Sequence, residues 1–237
     1  MLNKLVSGLD KLARKTYWKA LGLSLFLFDR RTILVFRKKI HAVHQKYEFR
    51  IQEYRTNASK IIGICKSVSR YNYYAGSDDD VRTASRLRHG MRFYAAFEGD
   101  KVVAYLWLHS DSHRFFNEVG IFIKHGQNDL WLRDVYVVPE KRGQKVFRDV
   151  ISAVIQEYYP NTRNLYSDVM RNNEPSLKAH KSLGLTVVGH VRFTRILRRI
   201  ILREVKVEQL ETYGYKSPRK VIFMGDDFNS FTAANST

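Results

Sequence analysis

The sequence predicts a mixed α/β domain of the α+β kind: a mostly antiparallel sheet ending in one parallel strand pair, with helices on both faces. Three observations predict it. Arg92–Glu98 and Lys101–His109 are strand-like runs joined by Gly99-Asp100, a hairpin signal. Leu130–Val138 is a β-rich run, followed by a helix-periodic stretch, Gln144–Tyr158, and then by a second strand-like run, Leu165–Met170. Two strands separated by a crossover helix pair in parallel.

Each element has its own warrant. Residues 2–21 have helical spacing, with Leu2, Leu5, Leu9 and Leu12 on one side, extended by Tyr17, Trp18 and Leu21, and Lys4, Lys11, Arg14, Lys15 and Lys19 around them. Thr32–Phe36 is β-branched and aromatic and reads as a strand. Glu48–Tyr54 alternates apolar and polar, another strand. Ala58–Val68 reads as a helix, and Ser77-Asp78-Asp79-Asp80 as a loop and N-cap leading a short helix to about Arg88. The hairpin comes next. Asp111–Asn117 is polar and reads as a connection, with Glu118–Lys124 a further strand. In the 144–158 helix, Val146, Phe147, Val150, Ile151, Val154, Ile155 and Tyr158 share one face. Pro175–Leu183 is a helix, and Thr186–Ile200 is one long strand or two. The organisation expected is a basic extension over residues 1–47, a main domain over 48–225, and a loose polar tail over 226–237.

Composition limits the function classes. The 237 residues are 44% hydrophobic and 13% aromatic, enough for a real core and unlike a disordered chain. The single Cys65 excludes an internal disulfide framework and fits a reducing compartment. A formal charge of +18 asks for a polyanionic neighbour. Much of the excess is early, with 16 Lys or Arg against 4 Asp or Glu in residues 1–70. The apolar run Ala20–Phe28 is too short to span a bilayer, which needs roughly 20 residues. It runs into Asp29-Arg30-Arg31 with no small-residue cleavage site, so it reads poorly as a signal peptide. The location expected is cytoplasmic, with peripheral contact at the inner face of the membrane if the basic amphipathic segment lies on anionic lipid. A packing helix with a solvated basic face explains the same pattern.

Two motifs carry chemistry. Val135-Tyr136-Val137-Val138-Pro139-Glu140-Lys141-Arg142-Gly143 is a strand leading into Pro-x-x-Arg-Gly. About 30 residues on, Asn173-x-x-Ser176 leads to Ser182-Leu183-Gly184-Leu185. In this order they resemble the GNAT acyl-CoA-dependent acetyltransferases, and the resemblance covers roughly residues 49–200. It implies a GNAT-like sheet whose parallel pair is splayed, with acetyl-CoA as acyl donor and no metal. By position, the backbone of Val135, Tyr136 and Val137 would pair with the pantetheine arm. The turn Arg142, Gly143, Gln144, Lys145, Val146 and Phe147 would present amides at a helix N-terminus to the diphosphate. Asn173 would bond the pantetheine or the turn, and Ser176 would cap its helix as much as bind. Family members carry Gly where this chain has Lys145, and Gly or Ala at Phe147. The turn is expected to work despite this, provided that no positive φ is required, with the Lys145 ammonium assisting. Surface charge alone is the plain alternative for Lys141, Arg142 and Lys145.

Acyl transfer to an amine needs a base for the ammonium proton and an acid for the leaving thiolate. The resemblance implies the acid seven residues after the Asn, where this chain has His180 in place of Tyr, as an imidazolium. Candidate bases are Asp168, five residues before Asn173, where the resemblance implies a catalytic Glu in some relatives, and Asp134, at the end of the preceding strand segment; a carboxylate on an apolar strand wants a reason. Either could instead be a structural acid. Glu118 and His109 are lesser candidates. No metal-spaced Cys/His cluster, phosphate loop of the Walker type or nucleophile elbow suggests a second chemistry.

The function expected is transfer of an acetyl or short acyl group from CoA to a primary amine. The acceptor preferred is an amino sugar or envelope precursor at the membrane surface, reached through residues 1–31. Acceptor choice would lie in residues 57–90 and 110–128, where the run Tyr71-Asn72-Tyr73-Tyr74 could stack on a sugar or peptide. The alternative is a nucleic-acid- or ribosome-associated protein of the same fold, acting on RNA or protein or binding only. Arg37-Lys38-Lys39 and Arg192, Arg195, Arg198, Arg199 and Arg203 would then meet phosphates.

Overall fold

In a computed structural model, residues 28–41, 45–68, 79–110, 113–116, 121–196, 199–208 and 210–214 are described. In chain order the elements are β1 (Phe28–Lys39), β2 (Arg50–Tyr54), α1 (Ala58–Val68), α2 (Asp79–Arg88), β3 (Arg92–Glu98), β4 (Lys101–His109), β5 (His113–Phe116) and β6 (Ile121–Lys124). They continue with β7 (Asp129–Val137), a 3-10 turn (Pro139–Lys141), α3 (Val146–Tyr158), β8 (Asn164–Met170), α4 (Glu174–Ser182), β9 (Thr186–Ile196), β10 (Arg199–Val207) and β11 (Glu211–Gly214).

Eight strands form one sheet in the order β10-β9-β1-β8-β7-β4-β3-β2. Its pairs are antiparallel except β7 with β8, the parallel pair expected around α3. The alternation that marked the strands sorts their side chains onto two faces. Leu130, Leu132, Leu165 and Val169 pack with Val150, Ile151, Val154 and Ile155 of α3 on one face. Phe93, Tyr105 and Trp107 pack with Ile61 and Ile64 of α1 on the other, and Trp131 and Tyr166 with Phe116 and Ile123 beside them. Each large apolar side chain buried this way contributes about 1.5–3 kcal/mol before chain entropy is counted. The two faces therefore need both helical layers.

Several elements differ from the sequence reading. The polar connection expected over Asp111–Asn117 contains a strand, β5, which pairs with β6 in a three-stranded sheet, β11-β6-β5. Of the two readings of Thr186–Ile200, the two-strand one holds, with the second strand running on to Val207, and β11 was not expected. The strand at Thr32–Phe36 is longer and lies inside the sheet, between β8 and β9. The helix expected over residues 2–21, the cap at Ser77-Asp78, the Tyr71–Tyr74 run, Glu118, Arg198 and the tail from 226 lie outside the described residues.

Two local features fix the centre of the sheet and the helix packed on it. Asp129, buried at the start of β7, accepts from the backbone N–H of Asn164 at 3.1 Å and from its side-chain amide at 2.8 Å, tying the starts of β7 and β8 together. Residues 45–49 strap the outer side of α3: Gln45 N–H donates to Gln156 Oε1 at 3.1 Å and Gln156 Nε2 returns to Gln45 O at 3.3 Å. Phe49 packs into the same core as α3.

Candidate functional site

β7 and β8 start tied and end apart. Their ladder runs from Asp129↔Asn164 to Leu132↔Ser167 and then stops. Beyond it β7 keeps only β4, and β8 keeps only β1. Parity decides what faces the opening. Ala104 stands opposite Val137, and Val138 N–H donates to Val103 O at 3.0 Å. In such an antiparallel pair Val137 turns its own N–H and C=O away from β4, and Val135, two residues back, does the same. A backbone edge of β7 thus borders a fork that narrows at Leu132 and Ser167.

The turn after β7 ends at the N-terminus of α3. Its backbone bonding stops with Arg142 N–H to Pro139 O at 3.2 Å and resumes with Asp149 N–H to Lys145 O at 3.0 Å. Between them, the amides of residues 143–148 take no backbone acceptor among the described residues. They lie at the positive end of the helix dipole, an arrangement suited to an anion. Gly143 has φ +77, and Lys145, the N-cap, has φ +66. The expectation that this turn needs no positive φ is therefore corrected: Lys145 holds a left-handed backbone that glycine adopts at less cost. Phe147 does not stand over these amides. It packs against the core, its ring centroid 5.6 Å from that of His180. Gln144 Nε2 donates to Glu140 O at 2.9 Å, Lys141 pairs with Glu98 at 2.7 Å, and Arg142 Nε donates to Val137 O at 3.0 Å. Val146 is half-buried against the same core.

Asn173 is the N-cap of α4, its side chain accepting from Ser176 N–H at 3.3 Å. One helical turn on, His180 is buried between the rings of Phe36 and Phe147. Its Nδ1 lies 2.7 Å from Ser176 O, which can only accept, so Nδ1 carries the proton. The Ser167 hydroxyl lies 2.8 Å from Nε2 and 3.3 Å from Leu132 O, and its single proton serves one of these acceptors at a time. Burial lowers the pKa of this imidazole, against smaller opposing effects of the Ser176 carbonyl and Asp168. At neutral pH the ring is neutral, unlike the imidazolium expected from position. The sequence reading missed Ser167, which sits at the apex of the fork; its register beside Leu132 was the only signal, and that needs the pairing to be known.

Both candidate acids lie beyond the apex on the face opposite α3. Asp134 occupies a bulge where three residues of β7 step past two of β4, with φ +44. Its carboxylate pairs with Arg86 of α2, whose guanidinium lies 5.1 Å over the Trp107 ring. Asp168 accepts from Trp131 Nε1 at 2.6 Å and from Arg114 at 3.2 and 3.4 Å. Burial alone would raise both carboxyls, but Arg86 and Arg133 at Asp134, and Arg114 and Arg133 at Asp168, hold them below the usual range. Both are therefore ionised at neutral pH and already engaged with arginine. His109 is buried nearby, its pKa pushed down to about 3 by burial and by Arg114 and Arg133. Of the basic series on β9 and β10, Arg192 pairs with Glu204 at 3.1 Å.

The sequence pattern of the acetyltransferase (GNAT) family fits residues 59–185. No curated protein matches the chain. Solved structures resemble it at low identity. A Drosophila protein is 14% identical, covering 78% of this chain and 58% of its own, at a TM-score of 0.46. A GNAT-family acetyltransferase from Colwellia psychrerythraea is 13% identical, covering 71% and 56%, at 0.47. AAC(6')-Iy, solved with the bisubstrate analogue CoA-S-monomethyl-acetylneamine, is 18% identical, covering 58% and 90%, at 0.43. The chain thus spans less than three fifths of the Drosophila and Colwellia proteins.

Proposed function

The chain belongs to the acetyltransferase (GNAT) family, and from that premise we propose that it moves an acetyl or other short acyl group from coenzyme A to a primary amine. One observation carries the reading: the β7–β8 ladder ends at Leu132 and Ser167, and the turn after β7 leads to a helix N-terminus whose first amides take no backbone acceptor among the described residues. In this reading the diphosphate lies on the amides of residues 143–148, beside the ammonium of Lys145. The pantetheine arm pairs with Val135 and Val137, and the thioester lies near Leu132 and Ser167. CoA itself supplies the activated acyl carbon; the protein supplies position and charge.

Asp134 and Asp168 then act as fixed charges. A general base tuned to pH 7 would have a raised pKa, whereas both carboxyls are held down by arginine. They attract and orient the incoming ammonium. The proton must pass from the acceptor nitrogen to the departing sulfur. His180, neutral at rest, suits a sequence in which it first takes a proton and then returns one. Asn173 and Ser176 fix the start of α4 and so the ring.

For the acceptor we favour an amino sugar or envelope precursor, brought near by the basic segment ahead of β1. Among the described residues no helix is long and apolar enough to cross a membrane. Flotation with anionic liposomes, with and without residues 1–27, tests the surface contact; equal partitioning of both forms rejects it.

The test of the activity is direct. Acetyl-CoA should raise the melting temperature, and Lys145→Glu should abolish that rise without loss of the fold. An acceptor screen that tracks CoA release would then identify the amine. No thermal response to acetyl-CoA would overturn the reading.

A further inference from the structure

The Val137 carbonyl faces the fork, but it is covered. Arg142 reaches back around the 3-10 turn, donates Nε to it at 3.0 Å, and lays its guanidinium 5.4 Å over the Tyr136 ring. Arg142 is exposed, and among the described residues it pairs with no carboxylate. An exposed arginine ordinarily leaves its head in water or finds an anion. Here the charge rests on a neutral carbonyl and an aromatic face, the weaker partners available to it.

We propose that Arg142 is a donor-selecting latch: it closes the edge of β7 at Val137 and yields it only to an acyl donor that carries a diphosphate. The inference rests on the donor-site reading under Proposed function. A pantetheine arm pairing along β7 needs the edge that Arg142 covers. Its removal leaves a guanidinium without its hydrogen-bond acceptor. A diphosphate at the α3 N-terminus, a few residues away in the same turn, offers that guanidinium a charged acceptor in exchange. A thioester with the same arm but no diphosphate offers nothing. Arg142 thus makes the strand edge conditional on the far end of the donor, and the chain discriminates CoA thioesters from pantetheine thioesters beyond what phosphate contacts alone provide.

Calorimetric titration with CoA and with pantetheine tests this, on the wild type and on Arg142→Ala and Arg142→Met. The methionine variant keeps an apolar stem and loses every donor. Arg142 is exposed, so both variants should keep the fold, and melting curves check it. Both variants should bind CoA about three- to tenfold more weakly and pantetheine about three- to tenfold more tightly than the wild type. Pantetheine binding that is unchanged or weaker in both variants would overturn the latch, because an arginine that only contacts phosphate has no effect on a ligand without one. A wild type that fails to bind CoA at all would bring down the donor-site reading, and the latch with it.

Discussion

His109 is where acid should first be felt. It is neutral in the fold down to about pH 3, whereas an unfolded histidine takes its proton near 6.5. Between those values the unfolded chain binds more protons, so stability falls as pH falls through that window. By pH 5 the loss at this one group is about 2 kcal/mol, and His180, lowered too, adds in the same direction. Denaturant midpoints at pH 7 and pH 5 should show this, with His109→Gln flattening the difference; parallel pH profiles would reject the assignment. A second residue-scale prediction concerns Gly189. A Cβ there would come within 2.6 Å of the Val207 Cα and closer still to the Lys206 carbonyl. Gly189→Ala should therefore cost at least about 2 kcal/mol by chemical denaturation, although φ there is not positive; Gly189 sits where the β1–β9 register shifts. At this scale the sequence was half legible. It offered Asp134 from its chemistry on an apolar strand, and Asp168 and His180 through the family resemblance, but not the states in which they are held. Those depend on Arg86, Arg114 and Ser167, which lie 48, 54 and 13 residues along the chain from Asp134, Asp168 and His180 and meet them only in the folded chain.

Among elements, the turn between β7 and α3 separates two roles in one residue. Lys145 contributes a charge and bears a left-handed backbone. Lys145→Gly should keep or raise stability, by up to about 1 kcal/mol, while weakening CoA binding; calorimetry and a melting curve on the same sample separate the effects. A drop in stability would mean that the lysine side chain holds the turn in some other way. The turn's left-handed residue was hidden in the sequence because lysine does not announce φ > 0 as glycine does. The longer elements were legible where one period dominated. The α1 helix and the β3–β4 hairpin match their sequence expectations, since each carries its own pattern and its own stop signal. The short strands β5 and β11 were not legible, because a four-residue strand is fixed by its partner, here β6, rather than by its own composition.

For the whole molecule, the governing fact is the place of β1. It pairs with β8 along one edge and β9 along the other, so β9 and β10 reach the rest of the sheet only through it. Ile33 and Val35 are buried in the same cluster as Trp131, Val191 and Phe193. Removing residues 1–27 should leave cooperative melting intact, whereas removing residues 1–39 should abolish it, as judged by near-ultraviolet dichroism and hydrogen exchange in β9. A truncated chain that still melts as one unit would show that β8 and β9 can close directly. The sequence announced β1 as a strand but gave no hint of its address, because nothing local records a partner so far down the chain.

That address has a consequence for the chain as it is made. Ile33 leaves the ribosome well before its neighbours Met170 and Val191. At ordinary translation speeds the apolar face of β1 waits on the order of ten seconds or more for them. During that interval it is a solitary, adhesive ribbon, and whatever shields it then, whether a chaperone or the basic stretch translated just before it, decides how much of the protein is ever completed correctly.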